Sequence, residues 1–248
     1  MRTCSIIIPA FNEEKRLGPT LESISRAVAE RIFDPVTITE IIIVDDGSTD
    51  DTLAVAEQCN DLPVHILKFS RNRGKGAAVQ TGMLEATGDF LLMYDADGAT
   101  PINEIPKLFK AIASGADIAI GSRVLGTGEG LKSMAIHRRF IGRAYWFFCS
   151  RLIPGIRDAA CGCKLFSREA GRTLFREQRV HRFAFDIEIL ALALRHRYIV
   201  REISVRWTAV PESRVHILFD GPEMFFSILR LYLARSSRRS TSLTSQET

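Results

Sequence analysis

One stretch limits what this chain can fold into more than any other: Phe90-Leu91-Leu92-Met93-Tyr94-Asp95-Ala96-Asp97-Gly98-Ala99-Thr100. A mostly apolar run, Phe90 to Tyr94, passes straight into two carboxylates spaced i, i+2. A strand that is apolar at nearly every position is covered on both faces, as happens when a parallel sheet lies between helices. The carboxyl end of such a strand is where open α/β sheets bind ligands. Asp95 and Asp97, close together beside a hydrophobic core, repel each other unless something positive lies between them. A hard divalent cation suits that place, because Mg²⁺ commonly takes one or two carboxylates together with substrate phosphates. Gly98 and Ala99 leave room for a bulky ligand to approach the backbone. An ordinary Asp-rich turn would use the same residue types, so the choice depends on the rest of the chain.

The first half alternates strand-like and helical patterns. Ser5–Pro9 reads as a strand, and Asn12 as the N-cap of a helix whose stripe is Leu17, Leu21, Ile24 and Val28. Glu40–Val44 and Val64–Phe69 read as strands, Ala77–Ala86 as a helix, Phe90–Tyr94 as the central strand, Ile102–Ile112 as a helix and Ala116–Gly121 as a further strand. Such alternation with short connectors predicts an α/β chain with a mostly parallel central sheet and helices on both faces. Beyond Gly121 the regularity stops. Gly126–Gly130 reads as a flexible loop, Phe140–Ile153 as an aromatic-rich helix, Cys161–Phe166 as a short strand and Phe185–Arg195 as a helix. Ile199, Ile203, Val205 and Trp207 alternate with polar neighbours as in a half-buried strand, and Phe219–Arg235 reads as a C-terminal helix. No linker divides the chain. The expected organisation is one domain over 1–235, made of a half at 1–120, a second half at 121–218 and an amphipathic helix at 219–235, with a disordered tail at 236–248.

Charge is distributed unevenly. Residues 1–120 carry 11 Lys/Arg and 18 Asp/Glu, a net of −7, whereas residues 121–248 carry 22 and 11, a net of +11. An acidic half and a basic half suggest two ligands of different character. The five cysteines form no C-x-x-C pair. Their odd number suggests reduced thiols, and Cys161 and Cys163 read as small packing residues. The N-terminus runs directly into core material at Ser5–Pro9, and no run of about 18 apolar residues exists to span a membrane. The expected location is the cytoplasm, or the cytoplasmic face of a membrane.

Each of the first four strands ends in polar residues: Pro9-Ala10-Phe11-Asn12-Glu13, Asp45-Asp46-Gly47-Ser48, Gly74-Lys75-Gly76, and Asp95 with Asp97. In a parallel sheet these ends converge on one cleft. The segments S-I-I-I-P-A-F-N-E-E, I-I-V-D-D-G-S-T-D-D-T, R-N-R-G-K-G-A-A and D-A-D-G-A-T-P resemble an inverting family 2 glycosyltransferase of GT-A fold, over roughly residues 4–210. G-S-R-V, D-A-A-C-G-C-K-L-F, F-D-I-E-I-L and I-S-V-R-W are similar to its polyprenyl-phosphate branch, and D-A-D-G-A-T to the dolichyl-phosphate β-glucosyltransferases rather than the mannosyl enzymes.

The resemblance implies a nucleotide-sugar donor, UDP-glucose over GDP-mannose, and a polyprenyl phosphate acceptor. It implies Mg²⁺ or Mn²⁺ at Asp97, with Asp95 beside it on the metal or the ribose. Pro9, Phe11 and Glu13 would line the nucleotide pocket, Asp46 would accept from base or ribose with Asp45 near it, and Lys75 and Ala96 would lie by the nucleotide sugar. Arg123 and one of Arg138 and Arg139 would grip the acceptor phosphate, since arginine offers a bidentate fork.

A phosphate monoester is already anionic near neutral pH and needs little help from a base. A saccharide hydroxyl would need one, and Asp186 is the candidate in that alternative. The bland readings are a first-turn helix acid for Glu13 and a solvated lysine for Lys75, each weaker than the nucleotide role, whereas for Arg143 a solvated basic face is the stronger reading. The roles of Asp158 and Lys164 stay open. Phe140–Ile153 and Phe219–Arg235 mix apolar and basic residues as interfacial helices do; the second would also serve in the domain's own core or at a homodimer seam. A phosphate- or nucleic-acid-binding protein is the alternative from another class. It leaves the acidic strand ends unexplained, so no nucleic-acid partner is expected.

Overall fold

The computed structural model describes residues 2–125, 149–208 and 223–233. Arg138, Arg139 and Arg143, the glycine-rich loop, most of the aromatic helix and the tail lie outside them. Seven strands form one sheet: β1 (Arg2–Ala10), β2 (Val36–Asp45), β3 (Val64–Lys68), β4 (Phe90–Tyr94), β5 (Ile118–Ser122), β6 (Cys163–Ser167) and β7 (Val200–Ser204), in the order β3-β2-β1-β4-β6-β5-β7. β1 pairs in parallel with both β2 and β4, and β2 with β3. β6 runs antiparallel to its neighbours β4 and β5, and β5 pairs in parallel with β7. The chain winds from β1 towards β2 and β3 on one side and resumes at β4 on the other. That reversal point is where sheets of this kind hold ligands.

Two cores cover the two faces. On one, α1 (Leu17–Ala29) buries Leu17, Leu21 and Ile24, and α4 (Ile105–Ala113) buries Ile105, Leu108 and Ile112, against Ile6, Ile8, Ile41, Ile43 and Leu92. Each such side chain contributes about 1.5–3 kcal/mol relative to exposure. On the other face, α3 (Lys75–Glu85), α5 (Arg168–Glu177) and α6 (Phe185–Arg195) pack over Ile7, Val44, Leu91, Met93 and Ile120. Alternate residues of β1, Ile6 and Ile7, thus serve opposite cores, which is why the run lacks a polar break. A short α2 (Thr52–Glu57) follows β2.

Several details differ from expectation. Asn12 does not cap a helix: it sits at φ +55°, and α1 begins at Leu17 without a side-chain cap. Its side chain is drawn away to the loop after β2, where Oδ1 accepts from Thr49 N at 2.9 Å and its own N donates to Ser48 Oγ at 3.0 Å. α5, not anticipated as a helix, is polar on average but strongly amphipathic, burying Ala170, Leu174 and Phe175, and Ser167 caps it by accepting from Ala170 N at 3.3 Å. The antiparallel sense of β6 sets its first residue, Cys163, opposite Tyr94, the last of β4.

Candidate active site

β4 ends at Tyr94, and the chain then makes a tight turn. Gly98 takes φ +61°, Ala99 N donates to Asp97 Oδ1 at 3.0 Å, and Thr20 Oγ1 from α1 donates to the Ala96 carbonyl at 2.8 Å. The turn is therefore held from both sides. A cleft of about 250 Å³ opens beside it, walled by Arg16, Thr20, Tyr94, Asp97 and Gly98.

Asp95 meets Lys75 at the start of α3, whose Nζ lies 2.6 Å from its Oδ1. Behind it is the backbone of Gly162, delivered by the antiparallel β6: a Cβ at 162 would fall 1.7 Å from Asp95 Oδ2. Glycine is required here by sheer proximity. Burial pushes the Asp95 carboxyl up, but Lys75, aided by Lys164 and Arg123, outweighs it, and the net result lies below the usual carboxylate range. Asp97 shifts the opposite way, raised by burial and then by the Asp95 charge. One acid of the pair is neutralised by a lysine; the other is left with an unfavourable charge.

No group of three acid, His or Cys side chains that could hold an ion exists among the described residues. A pair of carboxylates still fits a hard cation whose shell is completed by water and substrate phosphates. The repulsion felt by Asp97 is what such a cation would relieve, so the donor set fits Mg²⁺ or Mn²⁺ arriving with its phosphates.

The loops after β1 and β2 are tied together. Glu13 N donates to Thr52 Oγ1 at 2.7 Å, and the Glu13 carboxylate grips Arg16 through Nε at 2.5 Å and Nη2 at 2.6 Å. Pro9 and Phe11 sit half-buried at the end of β1. Asp46 is buried, with Oδ1 accepting from Arg73 N at 2.6 Å and Oδ2 from Gly74 N at 2.8 Å. Both oxygens thus shape the loop carrying Lys75. Asp45 is 1% exposed, its Oδ1 accepts from Ser48 N at 3.0 Å, and its buried Oδ2 has no hydrogen-bond partner among the described residues.

Arg123, just past β5, meets Asp158 in a fork, Nε to Oδ2 at 2.8 Å and Nη2 to Oδ1 at 2.7 Å, and lies over the Trp207 ring. Burial pushes the Asp158 carboxyl up, but Arg123 outweighs it and holds it below its ordinary value. Asp186, at the start of α6, is 8% exposed, and its Oδ1 lies 2.5 Å from Nζ of Lys164, itself 1% exposed. Lys164 Nζ also donates to the Cys161 carbonyl at 2.6 Å, fixing the turn that leads into Gly162. Burial raises the Asp186 carboxyl more than Lys164 and Lys75 lower it. Asp158 and Lys164, whose roles the residues alone left open, are thus the partners of Arg123 and Asp186. The glycine loop is keyed to residues ahead of α6: a Cβ at Gly74 would lie 2.6 Å from the His181 carbonyl oxygen, and one at Gly76 2.8 Å from it.

The structure brings Asp95, Asp97, Lys75 and Gly162 together at the sheet's reversal point. Arg16, Thr20 and Gly162 went unrecognised in the sequence. The isolated lysine of the apolar run C-K-L-F was the signal for a buried ion pair. None of the five cysteines is in a disulfide, and Cys161 and Cys163 are buried as packing residues. No helix among the described residues is long and apolar enough to cross a membrane.

A family model described as Glycosyl transferase family 2 matches residues 5–175. The chain is 40% identical over 230 residues to dolichyl-phosphate beta-glucosyltransferase ALG5D of Trichomonas vaginalis, covering 86% of this chain and 68% of that protein. With the Homo sapiens dolichyl-phosphate beta-glucosyltransferase the identity is 35% over 245 residues, covering 91% and 75%. Glucosyl-3-phosphoglycerate synthase of Mycobacterium tuberculosis in complex with uridine diphosphate matches with TM-score 0.70 at 20% identity, covering 94% of this chain and 80% of that one. Its complex with Mn²⁺, UDP-glucose and phosphoglyceric acid matches with TM-score 0.67 at 19% identity, covering 94% and 79%. At such identities the likeness shows the fold, and the expected GT-A architecture is the one observed.

Proposed function

This chain belongs to glycosyl transferase family 2, and on that premise we propose that it carries glucose from UDP-glucose to a dolichyl or related polyprenyl phosphate, with inversion and with a divalent cation on the donor. The supporting observation is the pairing of Asp95 with Lys75 beside an uncompensated Asp97 at the reversal point of the sheet. The relatives' printed names supply glucose and dolichyl phosphate, and the complexes of the structural neighbour supply UDP-glucose and Mn²⁺.

The donor's uridine end would enter between Pro9, Phe11 and the buried Asp45, whose Oδ2 offers an acceptor. Asp46 would hold the backbone from Arg73 to Gly74 so that Lys75 faces the acids. Asp97, with Asp95, would hold the cation, with Ala96 between them against the donor. When bound, the cation offsets charge that builds on the departing diphosphate. Lys75 fixes Asp95 while leaving it ionised, and Gly162 stops it from retreating.

An oxygen of the acceptor phosphate attacks the anomeric carbon as the bond to the diphosphate breaks on the opposite face, giving inversion. The attacking oxygen already carries charge, so no base is required. Arg123, oriented by Asp158, would meet the acceptor phosphate, and Arg138 or Arg139 would add a second fork. Asp186 then serves as the counter-charge of Lys164. Its burial in an ion pair speaks against the alternative in which it activates a saccharide hydroxyl. Family membership sets aside a nucleic-acid-binding role.

A panel of UDP- and GDP-sugars with short polyprenyl phosphates, with and without Mn²⁺ or Mg²⁺, tests the proposal. The expected product is glucosyl polyprenyl phosphate from UDP-glucose, lost with chelator. Faster transfer from GDP-mannose, transfer to a soluble saccharide alone, or full activity under chelation would overturn the corresponding part.

A further inference from the structure

Beside the loop that carries Lys75 lies a second, larger cavity of about 600 Å³, framed by that loop, by residues 179–182 ahead of α6 and by the helical stretch 223–233. Arg73, Arg179, His181, Arg182 and Arg230 line it, against the acids Glu188 and Glu223. Glu188 is buried, and its Oε2 already accepts from Arg179 N at 3.0 Å and Val180 N at 2.7 Å. Glu223 faces Arg182 across 3.3 Å in an exposed pair, which water and salt weaken. The cavity is therefore strongly positive, and charge of one sign lining a concavity concentrates anions there. Asp95, Asp97 and Arg123 do not line it, so it is separate from the cleft where glucose would move.

The stretch 223–233 adds a second, independent feature. Ile228 is buried, and Leu231 and Tyr232 pack on the core below it. Phe226 and Leu233, seven residues apart and so on one helical face, are 60% and 57% exposed, with Phe225 beside them at 40%. Exposed aromatic and aliphatic side chains next to gathered arginines match the boundary between lipid headgroups and acyl chains. A soluble anion would make no use of the apolar residues.

We propose that this cavity receives the phosphate-bearing headgroup of an anionic lipid while Phe226 and Leu233 enter the acyl boundary, docking the enzyme on its membrane. The inference rests on the lipid-acceptor reading, because a lipid substrate requires the site to sit at such a surface. The packing of Gly74 and Gly76 on His181 links the docked wall to the loop that positions Lys75.

The test compares the full chain with Arg179→Gln/Arg230→Gln and with Phe226→Ser. Sedimentation with vesicles of phosphatidylcholine, with and without phosphatidylglycerol, is measured at low and high salt. Binding is expected on the anionic vesicles only, weakened by salt, and reduced about fivefold for each arginine removed, about 25-fold in the double variant. Phe226→Ser should weaken it at every salt concentration. Melting temperature and UDP–Mn²⁺ affinity should stay as in the wild type.

Absent wild-type binding, equal binding to neutral vesicles, or undiminished binding by the double variant overturns the proposal. Inorganic pyrophosphate bound through the same arginines without vesicle binding would reassign the cavity to a free anion, and capture of an oligonucleotide instead of vesicles would reassign it to nucleic acid. Transfer to polyprenyl phosphate in detergent separates the two readings. Normal transfer without vesicle binding defeats the docking site alone, and vesicle binding without transfer defeats the acceptor assignment alone.

Discussion

Replacing Gly162 by alanine tests the geometry around the paired acids through a single methyl group. The new Cβ would lie 1.7 Å from Asp95 Oδ2, 2.1 Å from Cγ and 2.6 Å from Oδ1. Restoring ordinary contact requires the carboxylate to move by roughly 1.5–2 Å. The carboxylate cannot move freely, because Lys75 holds its other side at 2.6 Å, and the turn at 162 is fixed by Lys164 through the Cys161 carbonyl. Overpacking of this kind costs about 1–3 kcal/mol, which at this chain length lowers the melting temperature by roughly 2–12 °C. Catalysis should suffer more, since a misplacement of about 1 Å in an organised site costs on the order of 100-fold. The assay is kcat/KM for glucosyl transfer, with Mn²⁺ affinity and melting temperature measured in parallel. Gly18→Ala is the control: a Cβ there meets only Val55 Cγ1, at 3.5 Å, and activity should be unchanged. Wild-type transfer and Mn²⁺ affinity in Gly162→Ala would refute the placement of Asp95 as a working ligand.

Other outcomes follow from the same network. Lys164→Met strands the buried Asp186 and should cost about 3–5 kcal/mol in denaturant unfolding; the double variant Lys164→Met/Asp186→Leu should recover most of it, and failure to recover would show that the pair is not the cause. Asp97 is raised in the folded protein by burial and then by Asp95, so its charge works against folding above the ordinary carboxylate value. Asp97→Asn should therefore raise the melting temperature of the metal-free enzyme at neutral pH, with the gain fading as pH falls through the raised folded value and gone below about 4, while transfer is lost; a lowered melting temperature would contradict this. Asp158 has the opposite sign, held down by Arg123 against its burial. Its contribution is present above about pH 4 and is lost as pH falls through its lower folded value, so the stability gap between wild type and Asp158→Asn should narrow on acidification. A gap independent of pH would assign the effect to packing.

Much of this was legible in the residues. The unbroken apolar runs of β1, β2 and β4 reveal a sheet covered on both faces, and the acids at their ends mark the cleft. The antiparallel sense of β6 was not legible, because C-K-L-F pairs equally well in either direction and the choice is made by what lies beside β4. That orientation delivers Gly162 to Asp95, so the glycine's role was equally hidden. Asn12 illustrates competition between local and distant partners: its type favours a helix cap, but Ser48 and Thr49 claim it. Asp46 was recognisable as part of the site, but its burial and its two backbone partners belong to tertiary structure. Lys164 stood out as a charge within an apolar strand, yet its partner lies 22 residues away on another element.

The central claim is that the tip of β4 binds a divalent cation together with the donor's diphosphate. Titration of Mn²⁺ into the enzyme by electron paramagnetic resonance, with and without UDP, measures this directly. Weak binding alone, tightened by UDP and abolished in Asp97→Asn, is the predicted result; Mn²⁺ binding that ignores both UDP and the loss of Asp97 would contradict it.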